Sequence, residues 1–258
     1  LAIVTFTTDF GARDGYAGAM KGVVLALAPS ATLVDITHGV PAQDVASGAL
    51  ALAQAAPLFP AGTIHVAVVD PGVGGARADL VVEAGGAFFV GPDNGVLSLA
   101  ARGPRRIRHI AAPGFRREPV SPTFHGRDVF APTAGRLAAG APFEDAGPHV
   151  DSMVELAPAP VGTYAGRAEG TVIHVDAFGN LITSLLADDL PPDVAIEVEG
   201  LGGVFHPTFA RTFSDVEAGA LVAYVGSGGQ LEIARRNGSA AELVGAARGT
   251  VVRVGDGS

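Results

Sequence analysis

The sequence predicts an N-terminal α/β domain, with a mixed, mostly parallel sheet flanked by helices, followed by a smaller domain that is mainly β. Short β-rich runs alternate with segments of helical spacing through the first half of the chain. A stretch holding Pro158, Pro160, Gly162 and Gly166 reads as a connection between domains. Beyond it, short apolar runs alternate with turn residues and long helical periodicity is lacking. The expected domains are residues 1–158 and 159–258.

Residues 1–6 form a β-rich run, and residues 16–28 place small and apolar side chains at helical spacing until Pro29 stops them. Residues 32–36 resume a strand. Residues 44–56 suit a helix with Asp44 at its positive N-terminal end, and residues 63–69 form another strand. Strands at 80–83 and 87–90 lie too close together for pure βαβ winding, which points to a mixed sheet. A short helix is expected at 93–101 and a longer one at 128–139, with Pro132 in its first turn, where a missing N–H does little harm. In the second domain, strands are expected at 170–175, 194–198, 221–225, 231–234 and 250–254.

With 258 residues, 48% of them hydrophobic, the chain can bury a substantial core. A net charge of -9, with arginine clusters only at Arg105, Arg106, Arg108 and at Arg116, Arg117, argues against nucleic acid as a partner. The absence of cysteine excludes disulfides, thiolate metal sites and a cysteine nucleophile. No run of about 18 apolar residues resembles a membrane span and the first residues lack a basic leader, so no membrane partner is expected and the cytoplasm is the expected compartment. His65, His109, His149, His174 and His206 lack metal-ligand spacing, so no metal is expected, and His38 suits a structural hydrogen bond.

Several loops carry polar clusters. Thr7 to Asp14 follows the first strand, where α/β sheets open their ligand crevices. Asp9 there has two acceptor oxygens that suit a vicinal diol, although helix capping or a turn accounts for it equally well. Asp70-Pro71-Gly72-Val73-Gly74-Gly75-Ala76-Arg77 delivers a carboxylate and a guanidinium on a glycine-rich loop without P-loop spacing; a surface turn with a local ion pair is the plainer account. Gly91-Pro92-Asp93-Asn94-Gly95 reads as a turn and cap. Thr123-Phe124-His125-Gly126-Arg127-Asp128 places a histidine before a helix, with Gly126 removing bulk beside the imidazole, and makes His125 the best-placed general base. Asp176-Ala177-Phe178-Gly179-Asn180 combines carboxylate, aromatic face and amide, able to recognise an ammonium group and a nucleobase, or simply to turn. The stretch from Ser227 to Ser239 is a flexible loop, a strand and a polar turn.

Taken jointly, Thr8-Asp9-Phe10-Gly11, Asp35-Ile36-Thr37-His38, Val69-Asp70-Pro71-Gly72-Val73-Gly74, Gly91-Pro92-Asp93-Asn94-Gly95, Thr123-Phe124-His125-Gly126-Arg127-Asp128 and Asp176-Ala177-Phe178-Gly179-Asn180 resemble the S-adenosylmethionine hydroxide adenosyltransferase (SAM hydrolase) family, related to the fluorinase and chlorinase enzymes. The resemblance implies a β-barrel-like C-terminal domain and a homotrimer with active sites between neighbouring subunits. It implies hydrolysis of S-adenosyl-L-methionine to adenosine and L-methionine without a cofactor, by attack of water at ribose C5′. Asp70, Arg77 and His125 take the positions of the family's water-activating set. Asp9 would hold the ribose hydroxyls, Asp14, Asp176 and Ser227 the methionine ammonium and carboxylate, and Phe178, Asn180, Phe213 and Arg235 the adenine. Phe124, Glu232 and Asn237 are further substrate-binding candidates. Asp70 and His125 stand where the halogenases have tyrosines, and Gly126 where the fluorinase has a serine, which favours water as nucleophile. The chlorinase shares that glycine, so halide-dependent adenosyl transfer is the enzyme alternative, and an adenosine-binding protein with little turnover is the other. Related halogenases often carry an arginine where this chain has Gly228, so methionine recognition differs in detail.

Overall fold

A computed structural model of the chain describes residues 1–191 and 193–256; residues 192, 257 and 258 of the expected second domain lie outside the described residues. The chain divides into two compact units, Leu1–Leu156 and Ala157–Ser258.

The first unit runs β1 (Ile3–Thr8), α1 (Tyr16–Leu27), β2 (Thr32–Thr37), α2 (Val45–Ala55), β3 (Ile64–Val68), β4 (Asp79–Ala84), β5 (Ala87–Pro92), β6 (Arg105–His109) and α3 (Ala131–Ala138). Its sheet has the order β2-β1-β3-β5-β4-β6. The sheet is mixed: the β1–β2, β1–β3 and β3–β5 pairings are parallel, while β4 pairs antiparallel with both β5 and β6. Successive residues feed opposite faces, as a pleated strand requires. Val66 and Val81 join the core beneath α1 and α3, with Met20, Val24 and Phe130, whereas Ala67, Leu80 and Val82 join the core beneath α2, with Leu52. Burial on both faces gives the strands near-continuous apolar runs, each large side chain contributing about 1.5–3 kcal/mol.

Two expected helices differ from what the chain forms. Residues 93–101 are consecutive turns. Gly95 sits at φ +98°, outside helical space, and Asn94 ties its side chain to the Val69 carbonyl and the Val96 amide, offering the backbone partners a helix would deny. The helix expected at 128–139 is regular only over Ala131–Ala138. Before it, Gly126–Phe130 is a π-helical turn closed by the Ala131 amide on the Gly126 carbonyl. Such a turn widens the helix just after His125. Strand β6, which the arginine cluster disguised, carries Ile107 inward beside Arg106, which pairs with Glu83 and Glu144 outside.

One buried group in this sheet makes the protein acid-sensitive. His65 on β3 is fully buried, stacked on Phe89 at 5.1 Å, with Nδ1 2.8 Å from Thr5 Oγ1. Burial lowers its pKa from 6.5 to about 4. Only the unfolded chain binds this proton between those values, so stability is unaffected above pH 6.5, falls by about 3 kcal/mol as pH drops to 4, and levels off below. Urea unfolding across that range should show a shallower pH slope in His65→Gln; equal slopes would remove His65 as the cause.

The second unit runs β7 (Gly162–Tyr164), β8 (Arg167–Val175), β9 (Leu181–Leu186), β10 (Val194–Gly200), β11 (Gly203–Phe205), β12 (Thr208–Phe209), β13 (Leu221–Val225), β14 (Gln230–Arg235), α4 (Ala240–Val244) and β15 (Val251–Asp256). The sheet order is β11-β10-β15-β8-β9-β14-β13-β12, with β7 paired to β8. The sheet curls far enough that β10 approaches β12, although five strands separate them in that order. Val172, Leu181, Ile196, Leu231 and Val252 fill the concave core.

Candidate active site

Within the first unit, a cavity of about 630 Å³ opens at the carboxyl ends of β1 and β3, the position where α/β sheets leave a crevice. Its walls include Asp9, Asp70, Phe124 and His125, four of the residues singled out from sequence, together with Phe10 and Tyr16. The three aromatic rings pack edge-on or tilted, 5.3–6.0 Å apart. Asp9 accepts the Gln43 amide on Oδ2 at 2.8 Å, which fixes the carboxylate and leaves Oδ1 open.

Asp70 and His125 come together at this cavity, with Arg77 against both, and they do so because of glycine. Gly74 has φ +74°, and a Cβ on it would stand 2.1 Å from the Pro122 carbonyl oxygen. Only a glycine lets the Asp70–Arg77 loop press against the segment that carries His125. That segment is anchored from below by Asp128, 1% exposed, which accepts the Ser121 amide and pairs with Arg127 and Arg117. The hydrogen bond from Arg127 holds the Asp128 carboxyl below the ordinary aspartate value, despite its burial.

A fourth member of the cluster, Asp79 at the start of β4, was not anticipated. Arg77 donates Nε to both Asp70 oxygens at 3.0 and 3.1 Å and Nη2 to Asp70 Oδ2, while Nη1 donates to Asp79 Oδ1. His125 Nδ1 lies 3.0 Å from Asp79 Oδ1 and 3.0 Å from Arg77 Nη2. Side-chain exposure is only 4% for Asp70, 9% for Asp79, 10% for Arg77 and 13% for His125, so these interactions act with little solvent screening. Burial by itself pushes the Arg77 pKa down, but the hydrogen bonds and charges of Asp70 and Asp79 outweigh it and hold the guanidinium above its ordinary value. Two residues beyond Arg77, Asp79 opens β4, where the sequence reads only as the approach to a strand.

In the second unit, a separate cavity of about 460 Å³ is lined by Phe178, Asn180, Phe213, Arg235, Asn237 and Gly238, five of them sequence candidates. Phe178 is 79% exposed and Phe213 40%, unusual for aromatic rings unless they serve as a binding surface. Asp176 does not face this cavity; its oxygens accept the amides of Phe178 and Asn180 and the Asn180 side chain, shaping the β8–β9 turn. Gly179 at φ +81° lets this turn lie against Ser239, whose Oγ an added Cβ would meet at 2.1 Å. Arg235 is steered by donating Nε to the Gly219 carbonyl at 3.0 Å.

Arg77, Asp14, Ser227 and Glu232 also lie outside both linings. Asp14 and Ser227 are exposed. Glu232 is half-buried beside Tyr224; burial raises its pKa, and the charge of Asp176 adds to that against the opposing Tyr224 hydrogen bond. Among the described residues, no group of three or more His, Asp or Glu side chains is arranged to hold a metal ion, and no helix is long and apolar enough to cross a membrane.

Comparison with known proteins gives a consistent result. Residues 4–147 match the model of the SAM hydroxide adenosyltransferase N-terminal domain, and residues 170–253 that of the C-terminal domain. The chain is 42% identical to an (R)-S-adenosyl-L-methionine hydrolase of Salinispora tropica, over 97% of both proteins, and 43% identical to one of Thermus thermophilus, over 97% of this chain and 98% of that protein. A fluorinase of Nocardia brasiliensis is 28% identical over 93% of this chain and 92% of its own length. Among solved structures, an uncharacterized conserved protein from Thermotoga maritima superimposes with a TM-score of 0.89 at 32% identity, covering 98% of this chain and all of that one. A conserved hypothetical protein from Thermus thermophilus gives 0.80 at 40% identity, with the same coverage.

Proposed function

The chain belongs to the SAM hydroxide adenosyltransferase family, and we infer from that membership that it is an S-adenosyl-L-methionine hydrolase, forming adenosine and L-methionine. The observation that carries the mechanism is the convergence of Asp70 and His125 at one cavity wall, with Arg77 hydrogen-bonded to Asp70 and within 3.0 Å of the imidazole. A water oxygen bonds to ribose C5′ as the C5′–sulfur bond breaks, and the bonding pair leaves on sulfur. The sulfonium thereby becomes the neutral thioether of methionine and needs no proton. Catalysis is therefore spent on the nucleophile: His125 takes the proton water sheds, Asp70 orients the water, and Arg77 stabilises developing hydroxide character. Holding water and C5′ about 3–3.5 Å apart supplies much of the remaining acceleration. Asp9, with Oδ1 open, is suited to the ribose hydroxyls, and the second-unit cavity to adenine.

Incubation with S-adenosylmethionine, followed by chromatography, should yield adenosine and methionine in equal amounts, undiminished by EDTA and without added halide. In ¹⁸O-labelled water the label should enter the adenosine 5′-hydroxyl. A 5′-halo-5′-deoxyadenosine in chloride would establish adenosyl transfer to halide instead, and tight adenosine binding without turnover would establish a binding protein. We also propose a homotrimer with its sites between neighbouring subunits; light scattering should report three times the 25.8 kDa chain.

The exposed Phe178 ring supplies a further expectation. Stacking of a base on an aromatic face contributes about 1–3 kcal/mol, so Phe178→Ala should raise KM by roughly 5- to 150-fold with a smaller effect on kcat. An unchanged KM would move adenine elsewhere.

A further inference from the structure

We propose that Asp79 is a positioning residue that fixes the His125 tautomer, holding the ring proton on Nδ1 and leaving the Nε2 lone pair for water. The kinetic part of this proposal rests on the hydrolase reading; the structural part does not. Nδ1 stands 3.0 Å from two groups of opposite demand, the Arg77 Nη2 donor and the Asp79 Oδ1 acceptor. A ring nitrogen satisfies only one of them at a time. If Nδ1 accepts from Arg77, the proton sits on Nε2 and His125 cannot take another from water. If Nδ1 donates to Asp79, Nε2 is the base.

Two features decide for Asp79. The buried cluster holds two carboxylates against one guanidinium, and a lone pair on Nδ1 would face the Asp79 oxygen across 3.0 Å while adding a further acceptor to the guanidinium that both carboxylates already share. A hydrogen there turns that contact into a charge-assisted bond. The reaction itself imposes the same choice. Once His125 has taken water's proton, both ring nitrogens carry hydrogens, and Asp79 Oδ1 is the acceptor placed for the Nδ1 hydrogen. The imidazolium that forms as the C5′–oxygen bond is made then has the Asp79 carboxylate 3.0 Å from its Nδ1. Asp79 touches neither water nor substrate in this scheme; it acts through His125.

The test is long-range ¹⁵N–¹H correlation NMR on the free, ¹⁵N-histidine-labelled protein at alkaline pH, with the His125 signals identified by their loss in His125→Gln. The wild type should show Nδ1 protonated and Nε2 bare. Asp79→Ala removes the acceptor, so Nδ1 should turn to Arg77 and the proton should appear on Nε2, with kcat falling by about 10²–10⁴-fold and KM nearly unchanged. Asp79→Asn keeps an oxygen at the Oδ1 position and should retain the wild-type tautomer and recover part of the rate. A structural role alone would lower the melting temperature of these variants without moving the proton. A wild-type His125 protonated on Nε2 overturns the proposal, as does an Asp79→Ala protein with unchanged tautomer and kcat; the wild-type spectrum decides even if Asp79→Ala fails to fold. A wild type that forms no adenosine, yet shows the Nδ1 proton and its loss in Asp79→Ala, supports the role of Asp79 and sinks the hydrolase reading alone.

Discussion

His125→Ala should lower kcat for S-adenosylmethionine hydrolysis by about 10²–10⁴-fold, the usual contribution of a positioned general base. KM should change little, because the residues proposed for ribose and adenine, Asp9, Phe178 and Asn180, are untouched. The loss should fall on kcat because the leaving thioether needs no acid: the imidazole is engaged only as water gives up its proton. His125→Ala should also behave as one unit with the Asp79 substitution. Since Asp79 acts through the imidazole, the double variant should be no slower than His125→Ala alone, whereas independent roles would multiply the losses. Single-turnover rates of the four proteins in that cycle give the answer directly. Full activity in His125→Ala would transfer the proton to another acceptor and remove the imidazole from the mechanism.

Legibility in the sequence followed the physics of each element. A strand buried along its whole length, such as β3, announces itself as a β-branched run, and α1 and α2 as small-residue helices bounded by Pro29 and Asp44. Strand β9 was missed because Thr183 and Ser184 interrupt the apolar run of Leu-Ile-Thr-Ser-Leu-Leu without giving it a clean alternation. The π-helical turn after His125 has no period in the sequence to betray it. Site residues on glycine loops were legible because the loops join several chemical groups in short stretches. Asp79 was not, because it sits inside what reads as the approach to a strand, and its role exists only once Arg77 and His125, 48 positions apart, have been brought together. The Asp176 turn shows the opposite outcome: its hydrogen bonds to its own loop leave it shaping the place where Phe178 and Asn180 stand.

Arg77→Met should cost about 3–5 kcal/mol of stability as well as activity. In the folded protein Arg77 is the single guanidinium between Asp70 and Asp79, whose side chains are 4% and 9% exposed. Forming this cluster is not in itself a large stabilising term, since desolvating three charges offsets much of their attraction. Removing only the cation is different: both carboxylates lose their partner while the solvent they gave up is not restored, so the full desolvation cost reappears. Methionine fills much of the volume and keeps contact with Phe130, over which the Arg77 guanidinium lies at 5.7 Å, so packing loss is the smaller part. At about 2–4 °C per kcal/mol, the melting temperature should drop by roughly 6–20 °C. Arg77→Lys should fall between, because an ammonium restores the charge but cannot present the planar fork that reaches Asp70 with Nε and Nη2 and Asp79 with Nη1 at once. Relieving the repulsion should recover part of the loss: Arg77→Met combined with Asp79→Asn should melt above Arg77→Met alone. If the single and double variants melt together, the two carboxylates are not held against each other by Arg77, and its part in the site reduces to the stabilisation of water's developing charge.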